Sequence, residues 1–466
     1  MSKIGEELLG LARTAFPKGA VIESAEIAAA AAETSRLLAA GTPVLFDAAF
    51  VSGGVAVRCD ILVVHKEDKV DVFEIKSGTK VKHRYVNDLA LQATVLAQCG
   101  LQIQRAYLLH VNPKYAHSEG NDYPPMELLK SSDVTAKVAK QQPNVARKLQ
   151  QLRKVVEAKA APEPPMGTYC RAPFACPHLA TCAATGPALP LFLLPELGRQ
   201  QESELHKDGI EELSQVPADR EDLTFRQRRT LQCQADGARV VEPFAREELD
   251  ECDRPLHFLA MFSVTDPLPL FEQQRPWQRT PFAWAVRTLH EDGRVETQSF
   301  AKLDRDDPRA GFVKSLARHL EVGGTAVVWG DECLRDLRPL LESCPDEKPS
   351  IRALLGHDNL DMRALLESAV FDPSMHDYAD IAGVAAVLLG DTSGRPLEAH
   401  DADARLQLVQ KARAPRVRAA TREKICATIT EALAWQADRL GELYAMFASP
   451  PGAAAADPPP QAGEPQ

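Results

Sequence analysis

Apolar and polar positions recur with two different periods along this chain, and the switches between them mark its elements. Residues 4–15 and 24–39 carry the helical period, with Ser24 placed to cap the second helix and Gly41 to end it. Short β-rich runs follow at 44–50, 55–65 and 70–77. A polar turn, Lys66-Glu67-Asp68-Lys69, separates the last two and predicts a hairpin. Asn87 and Asp88 are placed to cap a helix running to Gly100, and residues 102–111 read as another strand. Residues 134–160 read as a basic helix broken at Pro143, and the Pro-rich stretch Ala161–Pro165 follows. A cysteine segment at 170–182 leads into helical material to about 250, and a second α/β unit spans about 256–448. The predicted divisions are 1–133, 134–250, 251–448 and a tail, 449–466, which has nothing to bury and is expected to be disordered. The pattern predicts an α/β protein without internal repeats.

Within this pattern the stretch VRCDILVVHKEDKVDVFEIKSGTK, residues 57–80, sets charged residues into its most strand-like runs. Buried charges without partners are costly, so Asp60, Glu74 and Lys76 call for a reason. Residues two apart on a strand share a face, so Glu74 and Lys76 point one way and Phe73 and Ile75 the other. If the hairpin sets His65 opposite Val70, Asp60 lies opposite Ile75; a different loop count moves it onto the face of Glu74 and Lys76. Two carboxylates so gathered make a hard oxygen site suited to Mg²⁺ or Mn²⁺. The bland alternative is a surface hairpin whose Glu–Lys pair contributes roughly 0–1 kcal/mol.

Composition narrows the class. At 466 residues the chain exceeds one ordinary core, and two or three domains are expected. A net charge of -11 argues against nucleic-acid affinity over the whole surface but allows a local basic groove. Lys76, Lys80, Lys82 and Arg84 form one acid-free basic patch, and 137–159 another run that reads equally as a solvated helix face. No secretory signal is visible, and the longest apolar run, near Ala28, falls short of a membrane span, so a cytoplasmic protein without a membrane partner is expected. Ten scattered cysteines do not form a disulfide framework. Cys170, Cys176 and Cys182, spaced C-x5-C-x5-C, instead suggest a metal site; His178 offers a fourth zinc ligand, and free thiols are the alternative.

The order helix, hairpin, E-x-K strand, helix, strand resembles the PD-(D/E)XK nuclease superfamily, and in detail its RecB-like branch. Gln92, in DLALQATVL, matches the glutamine those nucleases carry on the following helix, whereas Leu96 stands where they have tyrosine. FEIKSGTKVKHRYVNDLALQATVLAQCGLQIQRAYLLHVNPKY, GTYCRAPFACPHLATC and RPWQRTPFAW are similar to the bacterial domain of unknown function family 2779. Its members join a RecB-like nuclease domain to an RNase H-like, DEDD-exonuclease-like domain.

That resemblance implies a restriction-endonuclease-like domain, a cysteine-containing helical linker and a C-terminal RNase H-like domain. It implies catalytic Asp60, Glu74 and Lys76 supported by Gln92, with Glu7 as a further metal ligand; the basic patch itself places Lys80, Lys82 and Arg84 as the expected contacts to nucleic acid. It also implies a 4Fe-4S cluster on Cys170, Cys176 and Cys182 whose fourth cysteine precedes the core. No cysteine stands before Cys59, so that ligand lies upstream or the cluster is incomplete. In HFLAMFSV, Ala260 and Phe262 replace the family's paired carboxylates, leaving Asp361 and Asp438 as survivors. Trp277, Trp284 and Phe282, near Arg275 and Arg279, read either as base-stacking residues or as core aromatics. The expected function is metal-dependent DNA hydrolysis by the N-terminal domain. The alternatives are an RNA nuclease and a non-catalytic nucleic-acid-binding or scaffold protein.

Overall fold

The computed structural model describes residues 3–118, 120, 123–162, 164–172, 174–330, 332–390 and 402–448; the tail expected to be disordered lies outside them. The protein is mixed α/β. Its contacts divide it into two compact units, Met1–Glu163 with Thr265–Gln278, and Pro164–Val264 with Arg279–Gln466. The basic helix at 135–157 thus belongs to the first unit, as do residues 265–278, which in sequence interrupt the second.

The first unit contains α1 (Lys3–Thr14), β1 (Ala20–Val21), α2 (Ile27–Ala39), β2 (Val44–Ser52), β3 (Val55–Val64) and β4 (Lys69–Lys76). It continues with α3 (His83–Gln98), β5 (Gln102–Val111), α4 (Pro125–Leu128), β6 (Leu129–Asp133) and α5 (Thr135–Glu157). Its sheet runs β1-β2-β3-β4-β5-β6, with β4 and β5 parallel and joined through α3. Period-two alternation on β4 sends Val70 and Val72 to one face, where they pack with Leu89, Ala93 and Leu96 of α3. Phe73 and Ile75 go to the other, with Leu8 and Ala12 of α1. Each fully buried leucine in these layers contributes on the order of 2 kcal/mol.

Several local expectations are corrected. Glu26, not Ser24, caps α2, its carboxylate accepting from the Ala28 and Ala29 amides at 2.9 and 2.6 Å. Helix α3 begins at His83 rather than at Asn87, because extending it buries Tyr85 and Val86; it has no side-chain cap. Pro143 does not break α5, which is continuous across it. Helix packing decides this: Val138 is buried against the α3 layer, and Val145 packs beside it. Arg153 of the same helix donates to the Gly53 carbonyl, while Lys137, Lys140 and Lys154 stand exposed.

In the second unit, β8 (Leu256–Val264), β9 (Thr280–Leu289) and β10 (Val295–Ala301) form an antiparallel meander, and β11 (Thr325–Val328) and β12 (Asn359–Asp361) add parallel to it. The strand order is β10-β9-β8-β11-β12. A two-residue pair of β7 (Val240–Val241) and β13 (Val370–Phe371) stands apart. The helix Arg309–Leu320 packs Phe312, Val313 and Leu316 against Leu259, Trp284 and Val328. The helix Ala419–Ala448 contacts β8 and β9, and Tyr444 sits edge-on to Phe258. His257 is fully buried at the base of β8. The carbonyl of Gly323 lies 2.9 Å from its Nε2 and can only accept, so Nε2 carries the proton and Nδ1 accepts from Thr288 at 3.0 Å.

Candidate active site

The hairpin of β3 and β4 determines which charged side chains meet. Glu67 and Asp68 adopt positive φ, 60° and 54°, so the loop closes in three residues and His65, not yet paired with Val70, bonds the Lys69 carbonyl at 2.8 Å. The ladder then pairs Val64 with Val70 and Ile61 with Phe73, and continuing it sets Asp60 opposite Glu74. The register is therefore one residue from the simple expectation, and it is the one that brings the carboxylates together.

A second irregularity lies beside it. Pairing of β2 with β3 skips Asp47 and Asp60 and resumes at Ala48 and Cys59. Asp47 has φ 57° and is held by Arg13 at 2.5 Å. Alternation breaks there: Cys59 and Leu62 share the α3-side core although three residues apart, and Ile61 packs on the α1 side. Asp60 occupies the break and accepts the Ile75 amide proton on Oδ2 at 2.7 Å.

Glu74 is 8 % exposed and lies on the α3 face. Its Oε1 receives Lys76 Nζ at 2.7 Å and its Oε2 receives Gln92 Nε2 at 2.8 Å. Lys76 also reaches Asp88 at 3.1 Å, a partner that only the helix geometry of α3 supplies. Burial pulls the Lys76 pKa down, but Glu74 and Asp88 outweigh it and hold the ammonium above the ordinary lysine value. Asp60 goes the other way. Burial and then the Glu74 charge push its carboxyl from 3.8 up to about 7, against the Ile75 hydrogen bond and Lys76. Gln92 is buried on the face of Leu89 and Leu96, and its Oε1 has no hydrogen-bond partner among the described residues.

The basic patch is contiguous with this cluster. Lys76 Nζ, Lys82 Nζ and Arg84 Cζ lie 5.5, 6.0 and 5.0 Å from the Tyr85 ring centroid, and Lys80, Lys82 and Arg84 are exposed.

Other expected site residues are not gathered there. Glu7 is exposed on α1 and is not among the charges that shift Asp60. Among the described residues no three His, Cys, Asp or Glu side chains converge as a metal site. Cys170 is buried in the short turn Thr168–Cys170, and Cys176 and Cys182 are partly exposed; the structure does not bring these thiols into one ligand set. In the second unit Ala260 and Phe262 are buried on β8. Asp438 pairs with Arg287 at 2.8 Å, and Asp361 caps the helix Met362–Ala369 while accepting the Gly330 amide. Phe282 and Trp284 are core aromatics, and Arg279 is bound to Asp336 at 2.7 Å. Trp277 alone of the three is open to solvent, and it belongs to the first unit.

Among the described residues no helix is long and apolar enough to cross a membrane. Residues 257–379 match the family described as Domain of unknown function (DUF2779). No curated protein matches the chain, and no solved structure does.

Proposed function

We propose that the protein is a divalent-metal-dependent nuclease that hydrolyses DNA phosphodiesters through its first unit. The observation that carries this reading is the convergence of Asp60 of β3, Glu74 and Lys76 at the C-terminal end of β4 and Gln92 of α3, beside an exposed basic patch. The order of the first sheet, with α3 crossing between parallel β4 and β5, supports a PD-(D/E)XK restriction-endonuclease-like fold. The strand order of the second unit supports an RNase H-like fold.

The donor set fits a hard divalent cation. Asp60 and Glu74 lie close together, burial and then the Glu74 charge raise the Asp60 pKa, and a buried amide oxygen at Gln92 lacks a partner among the described residues. Asp60 and Glu74 would hold such an ion, which when bound supplies Lewis-acid polarisation of a phosphate oxygen and a more acidic water. The chain's own residues do the rest. Lys76, kept protonated by Glu74 and Asp88, can donate to a phosphate oxygen where negative charge develops. Gln92 fixes the Glu74 carboxylate, and Lys80, Lys82 and Arg84 bind the phosphate backbone. The second unit hydrolyses nothing in this reading: buried Ala260 and Phe262 offer no ligand, and Asp361 and Asp438 are engaged elsewhere. No step is assigned to the thiols of Cys170, Cys176 and Cys182, which are not grouped as a ligand set among the described residues.

The test is cleavage of end-labelled DNA by the full chain with Mg²⁺ or Mn²⁺. Glu74→Gln and Lys76→Ala are expected to lower the rate at least about 100-fold, in the range of losing a group that stabilises transition-state charge, with circular dichroism unchanged. Asp438→Asn should leave it intact. Wild-type rates in both first-unit variants would sink the proposal.

A further inference from the structure

Trp277 joins the candidate site from a distant part of the sequence. It lies in the segment 265–278, which is fastened to the rest of the first unit by backbone bonds between His117 and Gln273 at 2.8 Å and Gln274 at 3.0 Å. Tyr123 adds a hydrogen bond to the Pro269 carbonyl at 2.8 Å. The indole Nε1 donates to the Ser77 carbonyl at 2.6 Å, one residue beyond Lys76. Its own amide donates to Asp266 at 2.8 Å.

Two features set this side chain apart. Its φ is 62°, a left-handed conformation that bulky residues rarely adopt and that is retained where a side chain must be aimed. It is 36 % exposed although it is the largest apolar side chain type, and among the described residues no aromatic ring stacks on it and no cation covers it. Its one polar side-chain atom, Nε1, is satisfied by the Ser77 carbonyl, so the rest of the side chain is apolar ring. On its chain side the Ser77 anchor leads directly into the loop carrying Lys80 and Lys82 and on to Arg84 in the first turn of α3.

Resting on the nuclease reading, we infer that Trp277 is a nucleobase-stacking residue of the first unit's site. It would receive one unpaired base of the strand whose phosphates run along the basic patch. Any base offers a π face, so the contact is sequence-tolerant, and stacking needs no hydrogen bond from the indole beyond the one that anchors it. The ligand chemistry is a single-stranded nucleobase, supplied by DNA or by RNA.

The test measures binding of fluorescein-labelled oligo-dT and oligo-rU to the full chain in chelator, where cleavage is off. Trp277→Ala is expected to weaken binding by roughly 5- to 100-fold, the range for one base stacked on an aromatic side chain, while Trp277→Phe retains most of it. The Phe variant keeps a ring and loses the Ser77 anchor, so a role limited to bracing the loop would make it as weak as Ala and overturn the inference. Unchanged binding in Trp277→Ala, or no binding by the wild type, overturns it as well. The oligonucleotide preferred by the wild type tells the DNA source from the RNA source. Failure of the nuclease reading shows separately: wild-type protein that cleaves nothing with any metal, yet loses binding in Trp277→Ala, leaves the stacking residue standing.

Discussion

At the scale of single residues the site is a balance of charges in a partly dry place. Glu74 is stabilised by two donors, and Gln92 supplies the buried one. Gln92→Leu keeps the volume but leaves Glu74 Oε2 without a donor, and a hydrogen bond to a charged group is worth about 1.5–3 kcal/mol. The variant is expected to melt lower at neutral pH and to cleave about 10- to 100-fold more slowly, as when a ligand's supporting partner is lost. Thermal unfolding and initial rates check both; a variant with wild-type values in each would make Gln92 an ordinary core residue. The shared face of Glu74 and Lys76 was readable from period two alone. Asp88 as a second partner of Lys76, and Trp277 at Ser77, were not, because each is delivered by tertiary packing over a distance in sequence that no local spacing encodes.

At the scale of elements, β2, β3, β4 and β5 of the first unit were readable to within two residues, since alternation and the polar turn are strong local signals, whereas the short edge strands β1 and β6 were not. The hairpin register was not. It depends on Glu67 and Asp68 taking left-handed backbone conformations without the glycine or asparagine that usually signals them. A count of one residue in that loop decides whether Asp60 faces Ile75 or Glu74. Helix ends failed for the opposite reason: α3 starts early and α5 passes through Pro143 because buried contacts outweigh local preference. That leaves a testable residue of strain in α5. Pro143 cannot donate to the carbonyl four residues back, so Pro143→Ala should stabilise the protein, by up to about 3 kcal/mol if the helix stays in place. A rise in the unfolding midpoint by calorimetry is the expected result; a fall would mean that the proline shapes a bend the packing requires.

At the scale of the whole molecule, the two units carry buried titrating groups with opposite pH dependence. Metal-free Asp60 has its pKa raised from 3.8 to about 7, chiefly by burial and by Glu74. Its proton is held by the folded state and released by the unfolded one over that interval. The stability it supplies is therefore complete below about pH 4 and lost as pH rises through about 7. His257 has its pKa lowered from 6.5 to about 4, chiefly by burial, with His319 and His357 opposing its charge further and the Gly323 carbonyl favouring it. Here the unfolded state binds the proton first, so stability is complete above 6.5 and lost as pH falls through about 4. Neutralising each group in turn separates the two effects. In chelator, Asp60→Asn keeps an acceptor for the Ile75 amide and should melt higher than wild type at about pH 7.5, with a smaller gain at about pH 5 and little difference below about pH 4. His257→Gln should melt lower than wild type at both values, and the deficit should be larger at about pH 7.5, where the neutral imidazole is fully stabilising. Added Mg²⁺ or Mn²⁺ should erase the advantage of Asp60→Asn, because an ion held by two carboxylates stabilises the ionised wild-type pair and not the amide. Calorimetric midpoints of the three proteins with and without metal decide it. If Asp60→Asn gained at acid rather than neutral pH, the carboxyl would be ionised throughout, and the burial and charge arrangement described at the strand break would be wrong.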